Sequence, residues 1–150
     1  MANPSVMFVA LMFILSLGGC HDDCREEFLS ATGNGDLSKL EHLIDAIGDV
    51  NFIAFDGDTP LGAAARNGNL SIVLFLLDHG ANVNFEDVSG GTPLSWALYD
   101  RHLDIAELLA QRGATFSDSD IVNESFLRVV STDEAVRKWM DNHGYHEVAR

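Results

Sequence analysis

Between Leu70 and Leu77 the side chains of Leu70, Ile72, Val73, Leu76 and Leu77 form the apolar face of a helix. Leu103, Ile105 and Leu109 answer Leu70, Ile72 and Leu76 at one constant offset further along the chain. A shorter segment precedes each helix and opens on Thr-Pro-Leu. The first is Thr59-Pro60-Leu61, followed by Gly62 and the small residues Ala63, Ala64 and Ala65; the second is Thr92-Pro93-Leu94, followed by Ser95, Trp96, Ala97 and Leu98. The threonine hydroxyl is placed to cap a helix, and proline suits the first helical position, where its missing N–H costs nothing. Gly68 and Gly80 stop the two helices of the first copy, Gly68 in a left-handed conformation. The pattern predicts an all-α chain of short helix pairs. Helices of this length are not stable alone in water, so each pair must bury its face on the next.

The step from Thr59-Pro60-Leu61 to Thr92-Pro93-Leu94, a period of about 33 residues, resembles the ankyrin repeat. The resemblance implies a solenoid of about four helix-turn-helix repeats with hairpin-like loops and degenerate caps at both ends. The repeats are placed at about residues 22–51, 52–84, 85–117 and 118–150. The first lacks Thr-Pro-Leu, having Glu26-Glu27-Phe28 in that register, and has its second helix over Ser38 to Ala46. Its charged residues Arg25, Glu26, Lys39 and Glu41 suit a capping repeat, whose outer face must be polar. In the third repeat Trp96 and Leu98 replace small alanines, and Trp96 is expected to fill the core. Arg101 stands where Gly35 and Gly68 stand, and a non-glycine residue in a left-handed turn costs about 1–2 kcal/mol. Either the turn has changed shape or the side chain matters. In the fourth repeat Ala135 to Gly144 aligns with Asp104 to Gly113, two positions closer than the period.

Ahead of the repeats, Val6 to Leu17 is an apolar run of twelve residues. A membrane span needs about 20, and a signal-peptide core about this many. The run leads into Leu17-Gly18-Gly19-Cys20, which resembles a bacterial lipobox. That resemblance implies a signal peptide over residues 1–19, cleavage before Cys20 and lipidation of Cys20. The segment Met1 to Ser5 departs from the usual pattern in having no Lys or Arg. His21, in place of an aspartate after the cysteine, points to the outer membrane with the domain facing the periplasm. An inner-membrane anchor and a cytoplasmic chain are the alternatives. Asp23 and Glu26 have the spacing of a capping box.

The chain of 150 residues carries a formal net charge of −14, with no charged side chain among the first twenty residues. Such a surface repels nucleic-acid phosphates and anionic lipid head groups, and steers in a basic partner. The sequence has no H-E-x-x-H, no P-loop and no nucleophile set beside a base. No enzymatic activity, cofactor or metal is therefore expected. An enzyme or metal carrier using His21, Asp22, Asp23 and Cys24 is the remote alternative.

The ankyrin resemblance implies that a protein partner meets the loop tips and first helices. Carried over position by position, the candidates are Phe55, Asp56 and Asp58 at one tip, with Arg66 and Asn67 on the following helix. Glu86, Val88 and Ser89 form the next tip, and Tyr99, Asp100 and Arg101 lie beyond it. Aromatic and arginine side chains dominate interface energetics, which puts Phe55, Tyr99 and Arg101 first. The expectation is a monomeric, periplasmic, lipid-anchored protein that touches the membrane only through its anchor. Its partner is expected to be a protein, either basic or an antibacterial toxin that this chain neutralises. A constitutive envelope scaffold is the alternative.

Overall fold

The computed structural model describes the backbone of residues 20–146 and the side chains of residues 23–146. The apolar run, the lipobox and the side chain of Cys20 lie outside the described residues. Among these residues every regular element is a helix. In order they are α1 (Cys20–Asn34), α2 (Leu37–Ile47), α3 (Pro60–Arg66), α4 (Leu70–Asp78), α5 (Pro93–Tyr99), α6 (Leu103–Gln111), α7 (Asp118–Val122), α8 (Glu124–Thr132) and α9 (Glu134–Asn142). None is long and apolar enough to cross a membrane.

The local chemistry of the two central repeats follows the sequence. Thr59 accepts from Gly62 N at 3.1 Å to cap α3, with Pro60 opening the helix. Thr92 caps α5 in a full capping box: its hydroxyl accepts from Ser95 N at 3.3 Å, while Ser95 Oγ accepts from Thr92 N at 3.1 Å. His79 and His143 sit at helix C-termini and donate from Nδ1 to carbonyls one turn back, those of Phe75 at 2.7 Å and Trp139 at 2.8 Å.

The helices stack in two layers. Inner helices α1, α3, α5 and α8 pack on one another in sequence, and outer helices α2, α4, α6 and α9 back them. Inner helices contact each other more closely than outer ones do, because Ala63, Ala64 and Ala65 allow near approach of α3 to its neighbours. The core runs the length of the stack through Phe28, Leu40, Ile72, Leu76, Leu94, Leu98, Ile105, Leu109, Val130 and Met140, all sealed from solvent. Leu70, the first residue of α4, departs from its expected place on the buried face: it is 38% exposed.

Three expectations at the ends of the stack are corrected. The first helix already includes Cys20, so Asp23 lies inside it and caps nothing. The second helix runs Leu37–Ile47, one position beyond Ser38 and Ala46 at each end, because Asp36 caps it by accepting from Lys39 N at 3.1 Å. The stretch after Ser117 holds an extra short helix, α7, where the earlier repeats have a loop tip. Pro60 and Pro93 open α3 and α5 one full period apart, whereas Glu124 opens α8 two positions before the next period is complete. The deficit seen at Ala135 to Gly144 therefore arises before α8, and α9 inherits it.

Neighbouring repeats are joined by two rows of polar contacts. In one row Asn51 accepts from Asn82 N at 2.6 Å and donates to Gly80 O at 3.1 Å. Asn84 does the same one period on, accepting from Thr115 N at 2.8 Å and donating to Gly113 O at 3.3 Å. In the other row the residue that opens each outer helix reaches back to the preceding turn. Asn69 donates to Thr32 O and Gly33 O at 2.9 and 3.1 Å. His102 donates from Nε2 to Arg66 O at 3.1 Å, which places the ring proton on that nitrogen. Asp133 ends the row and accepts from Arg101 Nε.

Candidate functional site: the concave face and its loop tips

The loop tips are built by turns that aspartate and glycine dictate. Asp56 accepts from Asp58 N at 3.1 Å, and Gly57 turns the chain at a φ of 93°. At the next tip Asp87 has a larger task. Its Oδ1 accepts from Ser89 N at 2.7 Å, Ser89 Oγ at 2.6 Å and Gly91 N at 3.0 Å, and its Oδ2 accepts from Trp96 Nε1 at 2.7 Å. One buried carboxylate thus shapes the tip and fixes the indole. A side chain at Gly91 would collide with Trp96 Nε1 at 2.7 Å, so only glycine permits this approach.

Of the residues carried over from the resemblance, the apolar Phe55 and Val88 are wide open, at 87% and 70% exposure. They occupy the same position one period apart, and Val88 N donates to Gly57 O at 3.1 Å, tying one tip to the next. Asp56, Glu86, Ser89, Asn67 and Asp100 are also exposed. Asn67 spends its amide on Ala63 O at 2.8 Å, and Ser89 is held by Asp87. Arg66 pairs with Asp58 through both guanidinium nitrogens, and its guanidinium lies 5.3 Å from the Trp96 ring. Tyr99 is half-buried, edge-on to Trp96 at 5.8 Å. Phe55, Asp56, Asp58, Arg66, Val88, Ser89 and Tyr99 therefore share one continuous side of the molecule.

Arg101 differs from the other candidates. It keeps the left-handed turn of its glycine counterparts, at a φ of 65°, so the turn has not changed shape. Its side chain is committed to Asp133, whose carboxylate also caps α9 by accepting from Ala135 N and Val136 N at 3.0 and 3.1 Å. The arginine hydrogen bond, and after it the Val136 amide, hold the Asp133 carboxyl below the ordinary aspartate value of 3.8. In the earlier repeats the next repeat's side chain fills the space beside the turn: a Cβ on Gly68 would meet the His102 ring at 2.5 Å. At the next turn Asp133 takes that place and pairs with Arg101, which is thus a tie between repeats.

Trp96 overturns its expected place in the core. It is half-buried on the concave side, because its indole N–H needs an acceptor and Asp87 supplies one at the surface. It helps line a cavity of about 290 Å³ together with Tyr99, Asp120, Asn123, Ser125 and Phe126. Asp120 is 3% exposed and sits one period after Asp87. It accepts from Thr92 Oγ1 at 2.8 Å, Thr92 N at 3.3 Å and Ser117 N at 3.0 Å. Sequence reasoning passed over both aspartates; their separation by one full period was the available signal.

Charge along the central repeats is strongly acidic. Residues 40–100 hold nine acidic side chains and one basic one, Arg66, which is already paired with Asp58. Cys24 is buried and Asp23 exposed, so the two face different surroundings. Among the described residues no group of three potential ligands is assembled around a metal position.

Comparison with known proteins places this geometry. No curated protein matches the chain. A chain of the solved structure of the predatory endopeptidase Bd0816 from Bdellovibrio bacteriovorus in complex with immunity protein Bd3460 is similar, with a TM-score of 0.64 and 29% sequence identity. That match covers 79% of this chain and 63% of the other, so this chain spans less than two thirds of the length of its relative. The family model for ankyrin repeats, in three copies, matches residues 28–120, which is more than half of the sequence. The chain belongs to the ankyrin-repeat family.

Proposed function

We propose that this protein binds and neutralises a partner protein, as an immunity protein held in the periplasm by a lipid on Cys20. The observation that carries the reading is the likeness to a chain from an endopeptidase–immunity protein complex. The surface agrees with it. Phe55 and Val88 offer apolar contact area that no part of the described chain covers, and the surrounding carboxylates favour a basic partner. The leader Val6 to Leu17 followed by Leu17-Gly18-Gly19-Cys20 supports export and acylation.

The test is a pull-down from detergent-solubilised envelope, with mass spectrometry of both bait and prey. The expected bait begins at an acylated Cys20, and the expected prey is a single secreted effector whose activity the chain inhibits. Resident envelope proteins as prey, bound without inhibition, would replace the immunity reading with a constitutive scaffold. A bait that still begins at Met1 would sink the lipid anchor while leaving the binding surface to be judged on its prey.

A further inference from the structure

We propose that the cavity between the third repeat and the last helix pair is a site for a lysine or arginine side chain of the bound partner. The proposal rests on the protein-binding reading and names the contact that reading leaves open. The cavity exists because α8 starts two positions short of a full period after α5 and α7 replaces a loop tip, so the concave wall is interrupted there. Trp96, Tyr99 and Phe126 bring aromatic rings to its lining, which also includes Asp120.

The chemistry favours a cation on a long apolar stem. Asp87 and Asp120 are 9% and 3% exposed, and neither takes part in an ion pair among the described residues. Asp120 Oδ1 accepts one hydrogen bond, from Thr92 N at 3.3 Å, and so has capacity for another donor. No Lys or Arg lines the cavity. A partner's methylene stem would lie against the aromatic rings while its charged end meets the carboxylate and the negative ring faces. A carboxylate would be repelled, and a purely apolar side chain would leave the buried charges uncompensated.

The experiment is an NMR titration of the full chain in detergent with N-acetyl-lysinamide, N-acetyl-argininamide and, as the neutral isostere, N-acetyl-norleucinamide. Trp96 carries an indole N–H at the site; Trp139, on α9, hydrogen-bonds Glu107 and serves as the internal control. The expected result is a saturable shift of the Trp96 indole signal with the two cationic probes and none at Trp139. The norleucine probe should bind about tenfold more weakly, as loss of a cation–π and charge contact implies. Ser125→Trp, at the exposed rim, should abolish the Trp96 response, and Tyr99→Leu should weaken it about three- to tenfold. Equal binding of norleucine, equal shifts at both indoles, or a silent Trp96 at about 100 mM probe would each overturn the proposal. Such a failure leaves capture of a partner by the tips untouched, and a failed pull-down leaves the titration readable.

Discussion

The second and third repeats meet across a close-fitting seam that no ion pair among the described residues crosses; the third repeat and the last helix pair meet across a more open one that ion pairs do cross. In the first seam Gly68 gives up its side chain so that the His102 ring can sit beside the turn and donate to Arg66 O at 3.1 Å. In the second, Arg101 keeps the left-handed turn and reaches out to Asp133. Packing differs in the same direction, since α3 lies closely along α5 while α5 and α8 share far less contact and leave the cavity beside Trp96. The contrast separates two roles for a repeat. A regular repeat propagates the stack, whereas the irregular last unit closes it and leaves room for something else to bind.

If that contrast has energetic content, core truncations will reveal it first. Leu76 and Met140 are both fully buried, one in a regular repeat and one in the closing unit. Leu76→Ala should lower the free energy of unfolding by about 2–5 kcal/mol and keep a single urea transition. Met140→Ala should cost a similar amount but split the transition, because stability in a solenoid is a sum of repeat and seam terms and the last seam is the weaker. Hydrogen exchange would then place the early opening in α8 and α9. One shared transition in both variants would mean that the looser seam couples as tightly as the regular one.

Asp120→Ala comes next. It strips the acceptor from the buried Thr92 Oγ1 and the half-buried Ser117 N, while Thr92 N keeps Ser95 Oγ at 3.1 Å. Each buried unsatisfied group costs about 1–3 kcal/mol, and water entering the adjoining cavity relieves part of that, so a loss of about 2 kcal/mol is expected in chemical denaturation. A loss below about 0.5 kcal/mol would show that the carboxylate does not hold the seam together.

Much of the regular seam was legible in the sequence. Thr59, Pro60 and Gly68 announce a cap, a helix start and a stop through their own local chemistry, which needs no tertiary partner. The buried positions Ile72, Val73 and Leu76 follow from helical spacing alone. What failed to show were features that depend on a neighbour. Trp96 reads as core from its size, but Asp87 decides where its N–H goes. Arg101 reads as a broken rule, and only Asp133, in the next repeat, explains it. The cavity follows from a two-position shift that the alignment of Ala135 to Gly144 records without saying where it arises.

Exchanging the two turns sharpens the comparison at smaller cost. Arg101→Gly removes a left-handed non-glycine residue worth about 1–2 kcal/mol of strain, and loses an ion pair that solvent screens because the arginine side chain is 62% exposed. The greater freedom of glycine in the unfolded chain offsets part of the gain, so stability should stay level or rise by up to about 1 kcal/mol. The reciprocal Gly68→Arg should destabilise by at least about 1–2 kcal/mol, since it adds the same backbone strain and drives a Cβ into the His102 ring. Thermal melts of the two variants should therefore move in opposite senses, and a large loss in Arg101→Gly would make the pair the dominant tie.

Acid provides the finest test of that tie. The Asp133 carboxyl is held below 3.8, first by its hydrogen bond from Arg101 and next by the Val136 amide. A carboxyl whose folded value is depressed adds stability that is complete above the unfolded value and is lost as pH falls through the folded one. In the native chain that loss begins below about pH 4. Arg101→Gly removes the largest cause and leaves the amides, so its melting temperature should fall less steeply between about pH 4 and pH 2. Added salt should shrink the difference, because the arginine is exposed to solvent and screening acts on it directly. Superimposable acid limbs for the two proteins would mean that the cap on α9 alone sets the Asp133 carboxyl. The last seam would then owe nothing to charge, and Arg101 would be held in its strained turn for a reason outside the chain, which would return it to the partner-facing surface.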